Sequence, residues 1–157
     1  MGTLKEYARY YDLFYQNKNY AGEAKDVLEL IRKYSNNTLE KMLVVGCGTG
    51  RHDREFYKLG GYEILGIDIS AEMVDIAHTE ADKLENANLR YMVGDARQFS
   101  MDDQYDAAVS LFHVKSYQRT NDDINNVLRL VSNAINKDAI LFLMHGMIWE
   151  SYVICHL

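Results

Sequence analysis

Three glycines at alternate positions, Gly46, Gly48 and Gly50, and two aspartates, Asp68 and Asp95, are the residues of this chain best suited to hold a nucleoside. The stretch from Lys41 reads Lys-Met-Leu-Val-Val-Gly-Cys-Gly-Thr-Gly, four apolar residues running straight into the glycines. An apolar run this short, β-branched at its end, predicts a strand buried on both faces. The glycines let the backbone turn sharply and leave no Cβ to keep a ligand away. A helix starting near Arg51 would aim its free N–H groups back at the loop, where an anionic group is welcome. Asp68 follows Gly46 by 22 residues, at the expected tip of the next strand, where a carboxylate accepts hydrogen bonds from both ribose hydroxyls. An aspartate there can instead cap a helix, but Ser70 already suits that role. Asp95 can accept from the exocyclic amine of adenine, with the Ala96 N–H facing a ring nitrogen; a plain Gly94-Asp95 turn is the competing reading. A dinucleotide would require G-x-G-x-x-G, whereas the third glycine here comes one residue early and Arg51 takes the last position. The loop is G-x-G-x-G, which favours a single nucleoside with a small charged tail.

These residues need a scaffold that carries them to one place. Tyr62 to Ile67, Leu89 to Val93, Tyr105 to Leu111 and Ala139 to Met144 predict four further strands. Residues 51–59, a segment from Ser70 to about Leu84, and a segment from about Asp122 to Asn136 predict the helices between them. The last of these is expected to bury Ile124, Val127, Leu128, Val131 and Ile135. Residues 21–35 form another helix, with Ala24, Val27, Leu28, Ile31 and Tyr34 on its inner face. Residues 3–16 predict an N-terminal helix within a lid segment, residues 1–20, on which Tyr7, Tyr10, Tyr11, Phe14 and Tyr15 share a side. Its tyrosines serve either as core or as a cover for a ligand, since tyrosine offers a flat apolar body and a hydroxyl. Alternating strands and helices predict an α/β fold: a doubly wound, mainly parallel sheet of about five strands with helices on both faces. In such sheets ligands sit at the carboxyl ends of the strands, near the switch in strand order. The glycine loop, Asp68, Asp95 and the segment from Leu111 to Tyr117 all follow strand ends.

The chain has 157 residues, 48% apolar and 25% charged, with a net charge of −6. That length and composition predict one globular domain with a sizeable core. The acidic balance argues against nonspecific nucleic-acid binding. No apolar run approaches the roughly 20 residues that cross a bilayer, and the N-terminus lacks a signal-peptide core. The expectation is a cytoplasmic protein without nucleic-acid or membrane partners. Two cysteines, Cys47 and Cys155, fit neither a disulfide framework nor a metal site. Tyrosine is over-used, twelve against five phenylalanines.

The series Leu43-Val-Val-Gly-Cys-Gly-Thr-Gly-Arg-His52, Gly66-Ile-Asp-Ile-Ser-Ala-Glu-Met73, Gly94-Asp-Ala-Arg-Gln-Phe99 and Tyr105-Asp-Ala-Ala-Val-Ser-Leu-Phe-His-Val114 resembles a class I S-adenosylmethionine-dependent methyltransferase in order and spacing. The openings Tyr10-Tyr-Asp-Leu-Phe-Tyr15 and Lys18-Asn-Tyr-Ala-Gly-Glu23 are similar to the branch that methylates small molecules, amino sugars and polysaccharide precursors among them. The resemblance spans roughly residues 8–144 and implies a Rossmann-like methyltransferase fold with S-adenosyl-L-methionine as cofactor. It implies that Gly46, Cys47, Gly48, Gly50 and His52 surround the methionine moiety, that Asp68 holds the ribose with Ile69 and Met73 beside it, and that Asp95, Ala96 and Arg97 frame adenine. Leu111, Phe112 and His113 would line the sulfonium side, and Tyr11, Tyr15 and Tyr20 would close over the carboxylate or the acceptor. His113 is the titratable candidate for taking the acceptor's proton, its alternative role being a polar wall. No metal is implied.

The C-terminal end departs from the family pattern. Asn136-Lys-Asp-Ala139 stands where members usually have a Pro-Gly-Gly turn, and only seven residues follow Met144-His-Gly-Met-Ile-Trp-Glu150. Two functions are therefore expected in the alternative: a small-molecule methyltransferase, or a C-terminally shortened domain that binds the cofactor without turnover. A sheet ending at Ala139–Met144 would expose an apolar edge, a template for pairing. The atypical tail, residues 145–157, contains Trp149, Tyr152, Val153 and Ile154, too apolar for a solvated end. Either it folds back over that edge or two chains pair there, and the homodimer is the preferred expectation.

Overall fold

The computed structural model describes residues 10–85, 87–111, 121–144 and 152–156. After a short helical stretch at residues 10–14, the elements run α1 (Tyr20–Tyr34), β1 (Lys41–Val45), α2 (Arg51–Gly60), β2 (Glu63–Asp68), α3 (Ala71–Ala81), β3 (Leu89–Val93), β4 (Tyr105–Ser110), α4 (Asn121–Ala134), β5 (Ile135–Met144) and β6 (Tyr152–His156). The strands form one sheet in the order β3-β2-β1-β4-β5-β6. Strands β1 to β5 are parallel and β6 runs antiparallel to β5. Chain order reverses between β1 and β4, so the carboxyl end of β1, which carries the glycine loop, opens at the switch point.

The period-two alternation of the strands sorts two cores. Met42 and Val44, with Ile64, Ala107, Val109, Ile140 and Phe142, pack against α1, α2 and α3 through Val27, Leu28, Ile31, Phe56 and Val74. Leu43, Val45, Ile67, Ala108 and Leu141 face the other way, against Val131 and Ala134 of α4 and against Phe99. Local chemistry sets the helix ends. The Asn19 side chain accepts from the Gly22 N–H at the start of α1, and Ser70 Oγ accepts from the Met73 N–H at the start of α3. α2 starts at Gly50 with no side-chain cap, which leaves its first N–H groups turned to the loop.

Several expectations are corrected. Tyr34 is 40% exposed rather than core, because the inner face of α1 closes at Ile31. α3 stops at Ala81, and residues 82–85 follow it as turn and bend. α4 stops at Ala134, and Ile135 opens β5 opposite Tyr105. The register then shifts before Ala107 meets Ile140. Asp138 takes the left-handed conformation (φ 65°) that a glycine would ordinarily supply. Asp106 secures this junction, accepting from Asn136 Nδ2 at 2.8 Å and from the Glu40 and Lys41 N–H groups at 2.9 and 2.8 Å. The entry into β5 is thus built from polar side chains rather than a Pro-Gly-Gly turn. Ile124, Val127 and Leu128 are half-buried rather than core.

The sheet has six strands where about five were expected. β6 pairs Tyr152 with Met144 and His156 with Ile140, so the edge left by β5 is covered by the same chain. This is the fold-back alternative, and a dimer built on a bare β5 edge loses its motive. Residues 3–9 of the expected N-terminal helix lie outside the described residues, Tyr7 among them.

Candidate functional site

The loop after β1 is turned by its own glycines and held by its neighbours in space. Gly46, Gly48 and Gly50 all take positive φ, 75°, 56° and 71°. The Gly46 and Cys47 N–H groups donate to the Ile67 carbonyl at 2.7 and 3.0 Å, and the Gly48 N–H donates to Asp68 Oδ2 at 2.9 Å. Asp68 Oδ1 accepts from the Ser70 N–H at 2.9 Å. One carboxylate therefore ties the tip of β2 to the turn of the loop. Two bonds leave it spare acceptor capacity, since an ionised carboxylate offers about four lone-pair sites. A Cβ at Gly48 would meet nothing within 4 Å, so this glycine turns its bare side to open space. A Cβ at Gly50 would come within 2.5 Å of the Tyr91 hydroxyl, and one at Gly66 within 2.8 Å of both Asp53 and Cys47. Gly50 and Gly66 are needed for packing, and Gly48 is free to face a ligand.

A cleft beside this loop is lined by the expected Tyr11, Tyr20, Gly46, Cys47, Gly48, His52 and Leu111, and also by Val44, Thr49, Arg51 and Asp53. The N-terminal segment docks on the loop through Asp12, which accepts from the Thr49 hydroxyl at 2.8 Å and faces Arg51 at 3.9 Å. Tyr15 packs on Tyr11 with ring centroids 4.9 Å apart but is not itself part of the cleft lining. Tyr20 is clamped between the Arg51 guanidinium, 4.6 Å from its ring, and the His52 ring at 4.7 Å. Burial pushes its hydroxyl up to about 12, against the pull of Arg51. His52 Nε2 lies 2.7 Å from Glu23 Oε2, which also faces Lys18 Nζ at 3.2 Å. Burial lowers the His52 pKa despite the carboxylate beside it. For Glu23 burial acts upward, but the His52 and Lys18 contacts prevail and hold it below the usual range. A neutral imidazole bonded to an ionised carboxylate is the arrangement that follows.

The other expected residues among those described are not part of this lining, and their placement differs from one to the next. Met73 is buried, and Ile69, next to Asp68 in the chain, is 67% exposed. Asp95 is engaged more fully than the sequence suggested. Its carboxylate takes the Arg97 guanidinium through Nε at 2.9 Å and Nη2 at 2.6 Å, and also accepts from the Arg97 N–H at 2.9 Å. That guanidinium holds the Asp95 carboxyl below the usual range. Arg97 reaches Asp123 of α4 as well, at 3.7 Å. Ala96 stands between the pair, half-buried. Phe112 and His113 lie outside the described residues.

Sequence reasoning missed Asp12, Lys18, Glu23, Thr49, Arg51 and Asp53. Asp12 and Glu23 stand inside the N-terminal stretches that carried the resemblance, but nothing local shows that they reach the glycine loop. Asp53 had a signal, an acid in the first turn of α2, and its burial is what gives it meaning. Among the described residues no cluster of His, Cys, Asp and Glu could hold a metal ion, and no helix is long and apolar enough to cross a membrane.

A parallel sheet with its glycine loop at the switch point, and an acid from the neighbouring strand bonded to that loop, defines a nucleoside-binding α/β domain. The methyltransferase-domain family model matches residues 42–138, and the chain belongs to that family. It is 34% identical over 121 residues to the dTDP-3-amino-3,4,6-trideoxy-alpha-D-glucopyranose N,N-dimethyltransferase of Streptomyces venezuelae, covering 76% of this chain and 48% of that one. It is 28% identical over 126 residues to the dTDP-4-amino-2,3,4,6-tetradeoxy-D-glucose N,N-dimethyltransferase of Saccharopolyspora spinosa, covering 79% and 48%. Among solved structures it is similar to Streptomyces venezuelae DesVI, with a TM-score of 0.77, 28% identity and coverage of 94% of this chain and 60% of that one. It is also similar to S-adenosylmethionine-bound CalS10, an amino pentose methyltransferase from Micromonospora echinaspora, with a TM-score of 0.76, 25% identity and coverage of 91% and 58%. The chain spans about half the length of the curated relatives it matches.

Proposed function

We propose that this chain binds S-adenosyl-L-methionine in the cleft beside Gly46–Gly50 and serves methyl transfer to a small molecule, an amino sugar carried on a nucleotide being the acceptor class. The carrying observation is the bond from the Gly48 N–H to Asp68: it ties the carboxylate assigned here to the ribose to the turn at Gly48, where a Cβ would meet only open space. The residues fit the cofactor. Gly48 leaves open space where a ligand would lie, Asp68 retains lone pairs for hydroxyls, and the uncapped start of α2 offers N–H groups to a carboxylate. The cofactor supplies a methyl group activated by a sulfonium.

The protein's share is orientation and exclusion of water. Asp68 and the loop fix the nucleoside, while Tyr11 and Tyr20 wall the cleft on the side where Asp12 fastens the N-terminal segment. The amino-sugar acceptor class rests on the two curated relatives named above.

Incubation with S-adenosyl-L-methionine and a dTDP-amino sugar is expected to yield S-adenosylhomocysteine and a sugar heavier by one or two methyl groups by mass spectrometry. Cofactor binding without any S-adenosylhomocysteine, across a panel of amino sugars, would instead support the domain that binds without turnover.

A further inference from the structure

Among the described residues Asp53 is the only charged side chain that is buried, with no accessible surface. Neither of its carboxylate oxygens makes a hydrogen bond of ordinary geometry. A buried carboxylate without a partner is costly when ionised, and such groups usually stay protonated. Yet Asp53 is not deep in an apolar core. It stands in the first turn of α2 and belongs to the wall of the cleft, where Gly66 lacks the Cβ that would have collided with it.

Given S-adenosylmethionine as the ligand of the cleft, we propose that Asp53 is a proton-exchanging counter-charge, protonated when the cleft holds no cation and ionised when a sulfonium enters. The proton leaves to solvent as the sulfonium arrives. The cleft then distinguishes the charged cofactor from its neutral thioether product, S-adenosylhomocysteine. The two ligands share every other group, so any difference that tracks Asp53 belongs to the sulfonium charge.

The surroundings support an equilibrium that a single charge can tip. Burial raises the Asp53 carboxyl to about 7; Arg54 and its own backbone amide pull it down, and Asp68 pushes it up. The groups packed around it leave it no partner of its own. On α2, the Arg54 guanidinium is held by the Thr49 carbonyl at 2.7 Å, and His52 is turned to Glu23 of α1. In the loop, burial pushes the Cys47 thiol up and keeps it neutral. At the end of β2, Asp68 is bonded to Gly48 and Ser70. On β3, burial raises the Tyr91 hydroxyl, which also stays neutral. Behind Tyr91, His78 of α3 bonds to the Tyr91 carbonyl at 3.1 Å.

As pH rises through about 7, Asp53 loses its proton more readily and the cleft becomes more negative, so the charged ligand gains on the neutral one. Calorimetric titration of the full chain with each ligand at pH 6 and pH 8 tests this. The ratio of the product's Kd to the cofactor's is expected to rise about three- to tenfold, as for two charges several ångströms apart in a partly polar medium. In Asp53→Asn, or Asp53→Ser if the amide is not accommodated, the ratio is expected to stay at the parent's pH 6 value. On the parent alone, titrations at pH 7 in buffers of different ionisation enthalpy should show more protons released with the cofactor than with the product. A flat ratio in a parent that binds both ligands, an equal rise in the un-ionisable variants, or equal proton release would overturn the role of Asp53. A parent that binds neither ligand would overturn the cofactor reading itself, a separate result.

Discussion

Gly48→Val is expected to lower S-adenosylmethionine affinity more than a hundredfold, beyond the range of an ordinary calorimetric titration, in a protein that still folds. Nothing lies within 4 Å of the added Cβ, so the side chain does not strike the protein. It fills the space beside the loop where the ligand must lie. The backbone cost is that of a β-branched residue at φ 56°, about 1–2 kcal/mol, which a domain of this size tolerates. Circular dichroism and a thermal melt, lowered by only a few degrees, would show the fold retained. Parental affinity in this variant would mean that the ligand does not touch the loop. Alanine at Gly66 is a useful contrast, because there the Cβ meets Tyr91, Asp53 and Cys47 and the damage should appear in stability first.

Asp68→Ala is the second large effect. The carboxylate has two duties: it accepts the Gly48 and Ser70 N–H groups, and it is assigned the ribose hydroxyls. Loss of two charge-assisted hydrogen bonds is expected to cost about 1.5–3 kcal/mol, very roughly 10- to 150-fold in Kd. Calorimetry with S-adenosylmethionine reads this directly. Adenosine, which carries the ribose but neither the methionine nor the sulfonium, should lose affinity by a similar factor. Unchanged affinity for both would remove Asp68 from the site.

What the sequence disclosed was the part encoded locally. The run from Met42 to Val45, the glycine turn and the Ser70 cap are each decided within a few neighbours, so strand, loop and helix were legible, as was Asp68 at the tip of β2. The N-terminal latch was not. Asp12 meets Thr49 across 37 positions and Glu23 meets His52 across 29, and no periodicity records such a pairing. The isolation of Asp53 was equally hidden, because it depends on Gly66 and Tyr91 arriving from two other strands. At the C-terminal end the missing Pro-Gly-Gly was visible, but its replacement by Asp138 at positive φ and by the bonds of Asp106 was not. The bare edge of β5 was legible as a problem. Its solution was not, since a strand from the same chain and one from a second copy satisfy the same backbone groups.

The central claim is that the glycine loop and Asp68 form a site for S-adenosylmethionine. Titration of the chain with S-adenosylmethionine, S-adenosylhomocysteine and NADH under one set of conditions tests it most directly. Saturable binding of the first two, weakened by Asp68→Ala and abolished by Gly48→Val, with no comparable binding of NADH, is the predicted result. Tight binding of NADH, or no binding of either adenosyl ligand by the folded chain, would contradict it.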